Sequence, residues 1–201
     1  MLRGCRVVLA LAAATAAGAC SSGSTHRTTT AATATTTTTT SVPTSTTSCA
    51  FTGDTTEQRA IASGARLFLT DVRVGGHGCF DRVVFTLAAE GGAAARPGYD
   101  VRYSSSGLTE DPSGRPVTVR GTAVLVVTAR ASAVDLTGTQ PRQTYTGPTD
   151  IDGPSDAPRI REVRRTGDFE GQMTWAIGLD RRFPFHVTVL DAPLRFVVDV
   201  G

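Results

Sequence analysis

The sequence predicts an all-β domain, an antiparallel β-sandwich of about eight strands, behind a disordered Thr-rich tether. Three observations carry that expectation. Apolar residues recur at every second position in run after run, the period of a strand with one buried face. Gly, Pro and Asp residues separate the runs and supply turns. Only Glu57 to Ala65 has a helical look, enough for one short helix.

Arg66 to Val74 reads as the first strand, closed by the turn Gly75–Gly76–His77–Gly78. Cys79 to Ala88 follows, with Val83, Phe85 and Leu87 on one face. Asp81 shares that face; if the face is buried, its charge needs an Arg partner. Gly98 to Ser104 places Tyr99, Val101 and Tyr103 together. Thr122 to Ala131 is almost continuously apolar, as a central strand would be. Asp135 to Pro158 is rich in Gly, Pro and Thr and reads as a loop. Ile160 to Thr166 then leads through Gly167–Asp168–Phe169–Glu170–Gly171 into a strand ending at Asp180. There Met173, Trp175, Ile177 and Leu179 share a face, so Trp175 is expected in the core, the alternative being an exposed platform for stacking a sugar. Phe183 to Val189 and Leu194 to Val200 alternate in the same way. Short connections at Asp180–Arg181–Arg182 and Asp191–Ala192–Pro193 join the last three strands into an expected meander.

Ahead of this domain the chain has the parts of an export signal. Arg3–Gly4–Cys5–Arg6 is basic, Val7 to Ala17 is apolar, and Gly18–Ala19–Cys20 ends in small residues. A cysteine at that point is the acceptor of a bacterial lipoprotein signal, although Ala17 stands where Leu, Val or Ile is usual. The alternative is an ordinary secretory signal cut nearby. The apolar run, about ten residues, is far below the roughly 20 that a membrane-spanning helix needs. The expected organisation is a lipoprotein signal peptide over 1–19, a tether over 20–48 and the folded domain over 50–201. The expected location is the extracytoplasmic face of the cell membrane, held by a lipid on Cys20. Ser21 to Ser48 is almost wholly Thr, Ser and Ala, too polar and too small to build a core. Its ~28 residues reach roughly 90 Å at full extension. A Thr-rich stalk of this kind can also accept O-linked sugars.

The chain has four cysteines. Cys5 leaves with the signal and Cys20 takes the lipid. Cys49 and Cys79 remain as an even pair in an oxidising compartment, where a disulfide is expected. A metal site or a redox pair is the alternative, but the pair has neither CxxC spacing nor a His cluster beside it. The formal charge of +2 falls to about zero once Arg3 and Arg6 are removed. That excludes nucleic acid as a partner, which calls for a clear positive excess. The chain contains no Asn, so it has no acceptor for N-linked sugar.

Chemistry-bearing residues are scattered. His77 lies in a Gly-rich turn and His186 on the polar face of a strand, without the spacing of a metal or acid–base site. No G-x-S-x-G motif is present. The expectation is no enzyme activity, no cofactor and no metal. One cluster suggests a ligand: Arg159, Arg161, Arg164 and Arg165, spaced to meet carboxylates or an anionic polymer. Its alternative is a solvated strand edge protected from aggregation by charge.

Several blocks together resemble a known family. They are Gly98–Tyr99–Asp100–Val101–Arg102–Tyr103, the strand Gly121 to Arg130, the run Val163 to Gly171 and the closing Phe196–Val197–Val198–Asp199–Val200. Over about residues 66–201 the chain is similar to the AMIN-like domain of actinobacterial envelope lipoproteins. That domain is related in fold to the AMIN module of cell-wall amidases. The resemblance implies a β-sandwich used for placement at the cell envelope, often by contact with peptidoglycan, and no enzyme activity. No amidase domain is expected, since the chain ends with the last strand. The function expected is therefore a membrane-anchored, non-catalytic envelope lipoprotein that binds a wall component or another envelope protein. A carrier of a small hydrophobic or lipid ligand is the alternative.

Overall fold

The structure is a computed structural model and describes residues 49–201. The signal, Cys20 and the tether lie outside the described residues.

Two antiparallel sheets form the domain. In chain order their strands are β1 (Gln58–Ala60), β2 (Leu67–Gly76), β3 (Asp81–Ala89), β4 (Tyr99–Tyr103), β5 (Ala123–Ala129), β6 (Asp150–Asp152), β7 (Ile160–Phe169), β8 (Gln172–Leu179), β9 (Phe185–Leu190) and β10 (Arg195–Val200). The six-stranded sheet has the order β1-β4-β5-β8-β7-β6, and the four-stranded sheet the order β9-β10-β3-β2. Each strand expected from the alternation is present, β5 centrally between β4 and β8.

The alternation explains the core. On β3 the side chains of Asp81, Val83, Phe85 and Leu87 are buried and those between them are partly exposed. From the other sheet, Val101, Val127, Trp175 and Ile177 are fully buried. Aromatic rings join the two layers: Phe85 meets Trp175 at 5.6 Å, Tyr99 meets Phe196 at 5.1 Å and Tyr103 meets Phe185 at 5.9 Å. These contacts add to simple area burial. β8 is buried on its outer face too, because the backbone at Val119–Arg120 crosses it. A Cβ on Gly178 would lie 1.8 Å from the Arg120 carbonyl oxygen, so only glycine admits that crossing. The β7–β8 turn places Glu170 and Gly171 at φ of 52° and 73°, which suits glycine in the second position.

Three expectations are corrected. The segment Glu57 to Ala65 is extended: β1 pairs with β4, and Ser63–Gly64 pairs with Ala95–Arg96. A helix this short cannot offset its nucleation cost. Extended, Gln58 instead reaches across to the other sheet, where its Nε2 donates to Phe185 O at 2.9 Å and its Oε1 accepts from Val187 N at 3.0 Å. The amide side chain thereby closes part of the β9 edge. Second, the last three strands do not form a meander. β9 pairs with β10, but β8 belongs to the opposite sheet. The inner faces of β8 and β9 are both apolar and bury against each other's layers, so the connection between them crosses from sheet to sheet. Third, Asp135 to Pro158 is not wholly loop. Arg142–Gln143 pairs with Val134–Asp135, and β6 adds an edge to β7.

Cys49 and Cys79 form a disulfide with a Cα–Cα distance of 5.0 Å. It ties the start of the described chain to the β2–β3 hairpin.

Candidate functional site

Asp81, at the start of β3, is fully buried. Its Oδ2 accepts the backbone N–H groups of Arg159 at 2.6 Å and Ile160 at 3.2 Å, and its Oδ1 accepts Arg159 Nη1 at 3.1 Å. The Arg partner that burial demanded is therefore Arg159, whose Nη2 also donates to Cys79 O at 2.9 Å. Arg159 is engaged in holding the entry to β7 against the disulfide-bearing hairpin.

The other members of the Arg cluster are spread along β7, each beside a carboxylate. Arg161 forms a two-pronged pair with Asp180, with Nη2 to Oδ2 at 2.6 Å. Arg164 Nη1 lies 3.7 Å from Asp150 and 3.6 Å from Glu162. Arg165 Nη1 lies 3.7 Å from Asp168. Register makes these pairs: Asp150 faces Arg164 across β6–β7, and Asp180 directly follows β8, the other neighbour of β7. The four guanidinium groups do not converge into one unpaired cluster. Arg159 and Arg161 lie towards the β8–β9 connection, and Arg164 and Arg165 lie midway along the strand.

Glu162, buried beneath this row, accepts Arg120 N at 2.8 Å and Arg120 Nε at 3.1 Å. Burial opposes its charge, but the Arg120 N–H and guanidinium outweigh that and hold its carboxyl below the ordinary glutamate range. Asp150 beside it is pushed up, by desolvation and by the Glu162 charge. Arg120 also pairs with Asp152. Arg120, Asp152, Arg161 and Asp180 line a cleft of about 750 Å³ walled by backbone at Gly121, Gly153 and Pro154. The cleft carries charges of both signs.

Two cations that sequence reasoning treated only as turn residues follow Asp180, a cleft residue, in the chain. Arg181 and Arg182, in the β8–β9 connection, are exposed. The Arg181 guanidinium lies 4.5 Å from the centre of the Phe183 ring, and that of Arg182 lies 4.7 Å from the centre of the Tyr103 ring. The connection itself is pinned. Tyr103 OH donates to Phe183 O at 2.7 Å and accepts from Phe183 N at 2.9 Å. Burial raises the Tyr103 hydroxyl above its ordinary pKa, so it remains a donor. The signal for the pair was an Arg-Arg step leading into an aromatic residue, but the ring under Arg182 comes from β4, far away in sequence.

The remaining candidates are placed plainly. His77 and His186 are exposed, His77 stacked on Phe80 at 5.0 Å. Among the described residues no group of three or more His, Cys, Asp or Glu is placed to hold a metal ion. Trp175 is core. Between the sheets the space a hydrophobic ligand would take is filled by Phe85, Trp175, Phe185 and Phe196. A second cleft, of about 660 Å³, is lined mainly by small residues at Ala93–Ala95 with Leu87 and Leu194, and the Arg96–Asp191 pair stands at it.

The family model described as AMIN-like domain matches residues 67–201. No curated protein and no solved structure matches the chain.

Proposed function

Since the chain belongs to the AMIN-like domain family, we propose that it is a non-catalytic, lipid-anchored module of the cell envelope whose sandwich binds a component of the cell wall. The single observation that carries this reading is the family match across nearly the whole folded part, 67–201. The signal-like N-terminus supports the anchoring half: Cys20 accepts the lipid and residues 20–48 space the domain from the extracytoplasmic face of the membrane. The wall ligand is peptidoglycan or an associated polymer, with another envelope protein as the alternative partner. The protein needs no cofactor in this role.

Co-sedimentation of the full chain with isolated wall sacculi tests the binding half. Retention that competes with soluble wall fragments is expected; a protein that stays in the supernatant would sink it. Fractionation of cells expressing Cys20→Ala tests the anchor. The variant is expected in the medium or the soluble envelope fraction, and an unchanged membrane fraction refutes lipid attachment.

A further inference from the structure

The outer face of the six-stranded sheet carries a groove at the Phe169 end of β7, away from Ile160 and the disulfide-bearing hairpin. Register builds its floor. Tyr99, Ala129 and Met173 stand opposite one another on β4, β5 and β8. Ala129 and Met173 are buried in the core, so the residues next to them, Arg130 and Gln172, face outward. Phe169 pairs with Gln172 and shares that face. Two glycines admit the walls. A Cβ on Gly98 would lie 2.6 Å from Ala62 N, so the Ile61–Ala62 segment rests directly on β4. A Cβ on Gly167 would lie 2.8 Å from Asp111 Cβ, so the Asp111–Pro112 segment rests on β7. Three strand spacings, roughly 14 Å, separate β4 from β7. A cleft of about 370 Å³ beside Ile61 and one of about 290 Å³ beside Phe169 meet at Arg130 and Gln172.

The composition of the groove narrows its ligand. The lips are apolar: Ile61 is 94% exposed and Phe169 51%, two of the three large apolar side chains that stand exposed among the described residues. The floor is polar, with Arg130 and Gln172 both exposed. Asp111 and Glu170 line the smaller cleft with Arg130, yet among the described residues none of the three has an opposite charge at ion-pair distance. The groove thus has donors and acceptors to spare around an apolar ring. A polyanion would meet two unpaired carboxylates there. A peptide strand would find no sheet edge, since β4, β5, β8 and β7 each have a neighbour on both sides. A sugar suits both conditions: its hydroxyls donate as well as accept, and its C–H face covers an aromatic ring. We propose that this groove binds a neutral oligosaccharide, one ring against Phe169 and its polar groups bonded to Arg130 and Gln172. Two joined clefts take a chain of linked sugars in place of a single ring. The site rests on the wall-binding reading and names the part of the wall it takes, the glycan.

The test titrates the full chain calorimetrically with tetra-N-acetylchitotetraose, whose sugars carry acetamido groups, and with cellotetraose, whose sugars do not. Dextran sulfate and a short lysine-containing peptide are the contrary probes. Saturable binding of at least one tetrasaccharide is expected. Phe169→Ala and Arg130→Ala should each weaken it by about tenfold, with the thermal midpoint unchanged because both side chains are exposed. Phe169→Trp should keep the affinity and Phe169→Leu should not, since stacking needs a ring. Preference for the acetylated chain supports the wall glycan as the source. Preference for cellotetraose keeps the neutral-sugar site and overturns that source. Binding of neither tetrasaccharide, tighter binding of dextran sulfate or peptide, or wild-type affinity in both Ala variants would overturn the proposal. Retention on sacculi that Phe169→Ala leaves unchanged would refute this site and leave the wall reading standing. A chain that binds a tetrasaccharide through Phe169, yet is not retained on sacculi, would do the reverse.

Discussion

Replacing Asp81 with Ala removes the single acceptor that holds the start of β7 to the start of β3. Two donors lose this partner outright, the Arg159 N–H and Arg159 Nη1, and the Ile160 N–H keeps only its longer bond to Ala157 O at 3.3 Å. Asp81 is fully buried and the Arg159 side chain is only 20% exposed, so solvent cannot replace the lost carboxylate. Breaking a buried pair by removing one member costs about 3–5 kcal/mol, much of it the stranded charge. For a domain of this size that lowers Tm by roughly 10 °C. Urea unfolding followed by fluorescence of the lone tryptophan, Trp175, provides the assay, since that ring is buried only in the folded state. The double variant Asp81→Ala/Arg159→Ala should cost less than the sum of the two single changes, by about 1–3 kcal/mol. A cost for Asp81→Ala below about 1 kcal/mol, or additive single costs, would refute the argument that the two groups act as one buried unit.

Other measurements probe separate features. Converting Cys49 and Cys79 to Ser should lower stability by roughly 3–4 kcal/mol, the chain-entropy value for a closed loop of this length, and an unchanged urea midpoint would refute it. Gly178→Ala should destabilise by about 1–3 kcal/mol or more, since the new Cβ would meet the Arg120 carbonyl; a neutral effect in the same assay would show that the Val119–Arg120 crossing is not tight. Asp135 accepts from the Thr137 hydroxyl and N–H and from Arg142, and Thr137 foremost lowers its pKa to about 2. Because the folded value is depressed, the turn is favoured above the ordinary Asp pKa and loses that support as pH falls towards 2. A carboxyl NMR titration should place Asp135 near 2 and move it upward in Thr137→Ala; a midpoint near 4 in the unaltered chain would refute the assignment.

Most of the fold was legible because the strands are two-faced. Val83, Phe85 and Leu87 on β3, or Met173, Trp175 and Ile177 on β8, announce a buried face by spacing alone. The need of Asp81 for an Arg was likewise readable, since a carboxylate on such a face has few alternatives. Its partner was not, because Arg159 and Asp81 lie 78 residues apart. The helical reading of Glu57 to Ala65 failed on a contact of the same kind: the Gln58 amide is worth more across the β9 edge than in one turn of helix. The Arg cluster was visible as composition, but its neutralisation by Asp150 and Asp180 depends on which strands flank β7, and only the Arg165–Asp168 pair is local in sequence.

By itself the sequence determined the all-β class, the positions of the main strands and the apolar face that carries Trp175, all of which follow from local period, and it offered Cys49 with Cys79 as the expected disulfide, which the structure contains. Only the tertiary structure decided which strands share a sheet, that β8 and β9 lie in opposite layers, and that Arg181 and Arg182 stand unpaired over rings at that crossing. The physical reason is that alternation records which face of a strand is buried and carries no information about which distant strand covers it. Charge neutralisation and ring stacking are made by those distant neighbours, so a binding surface takes shape only once the two sheets have met.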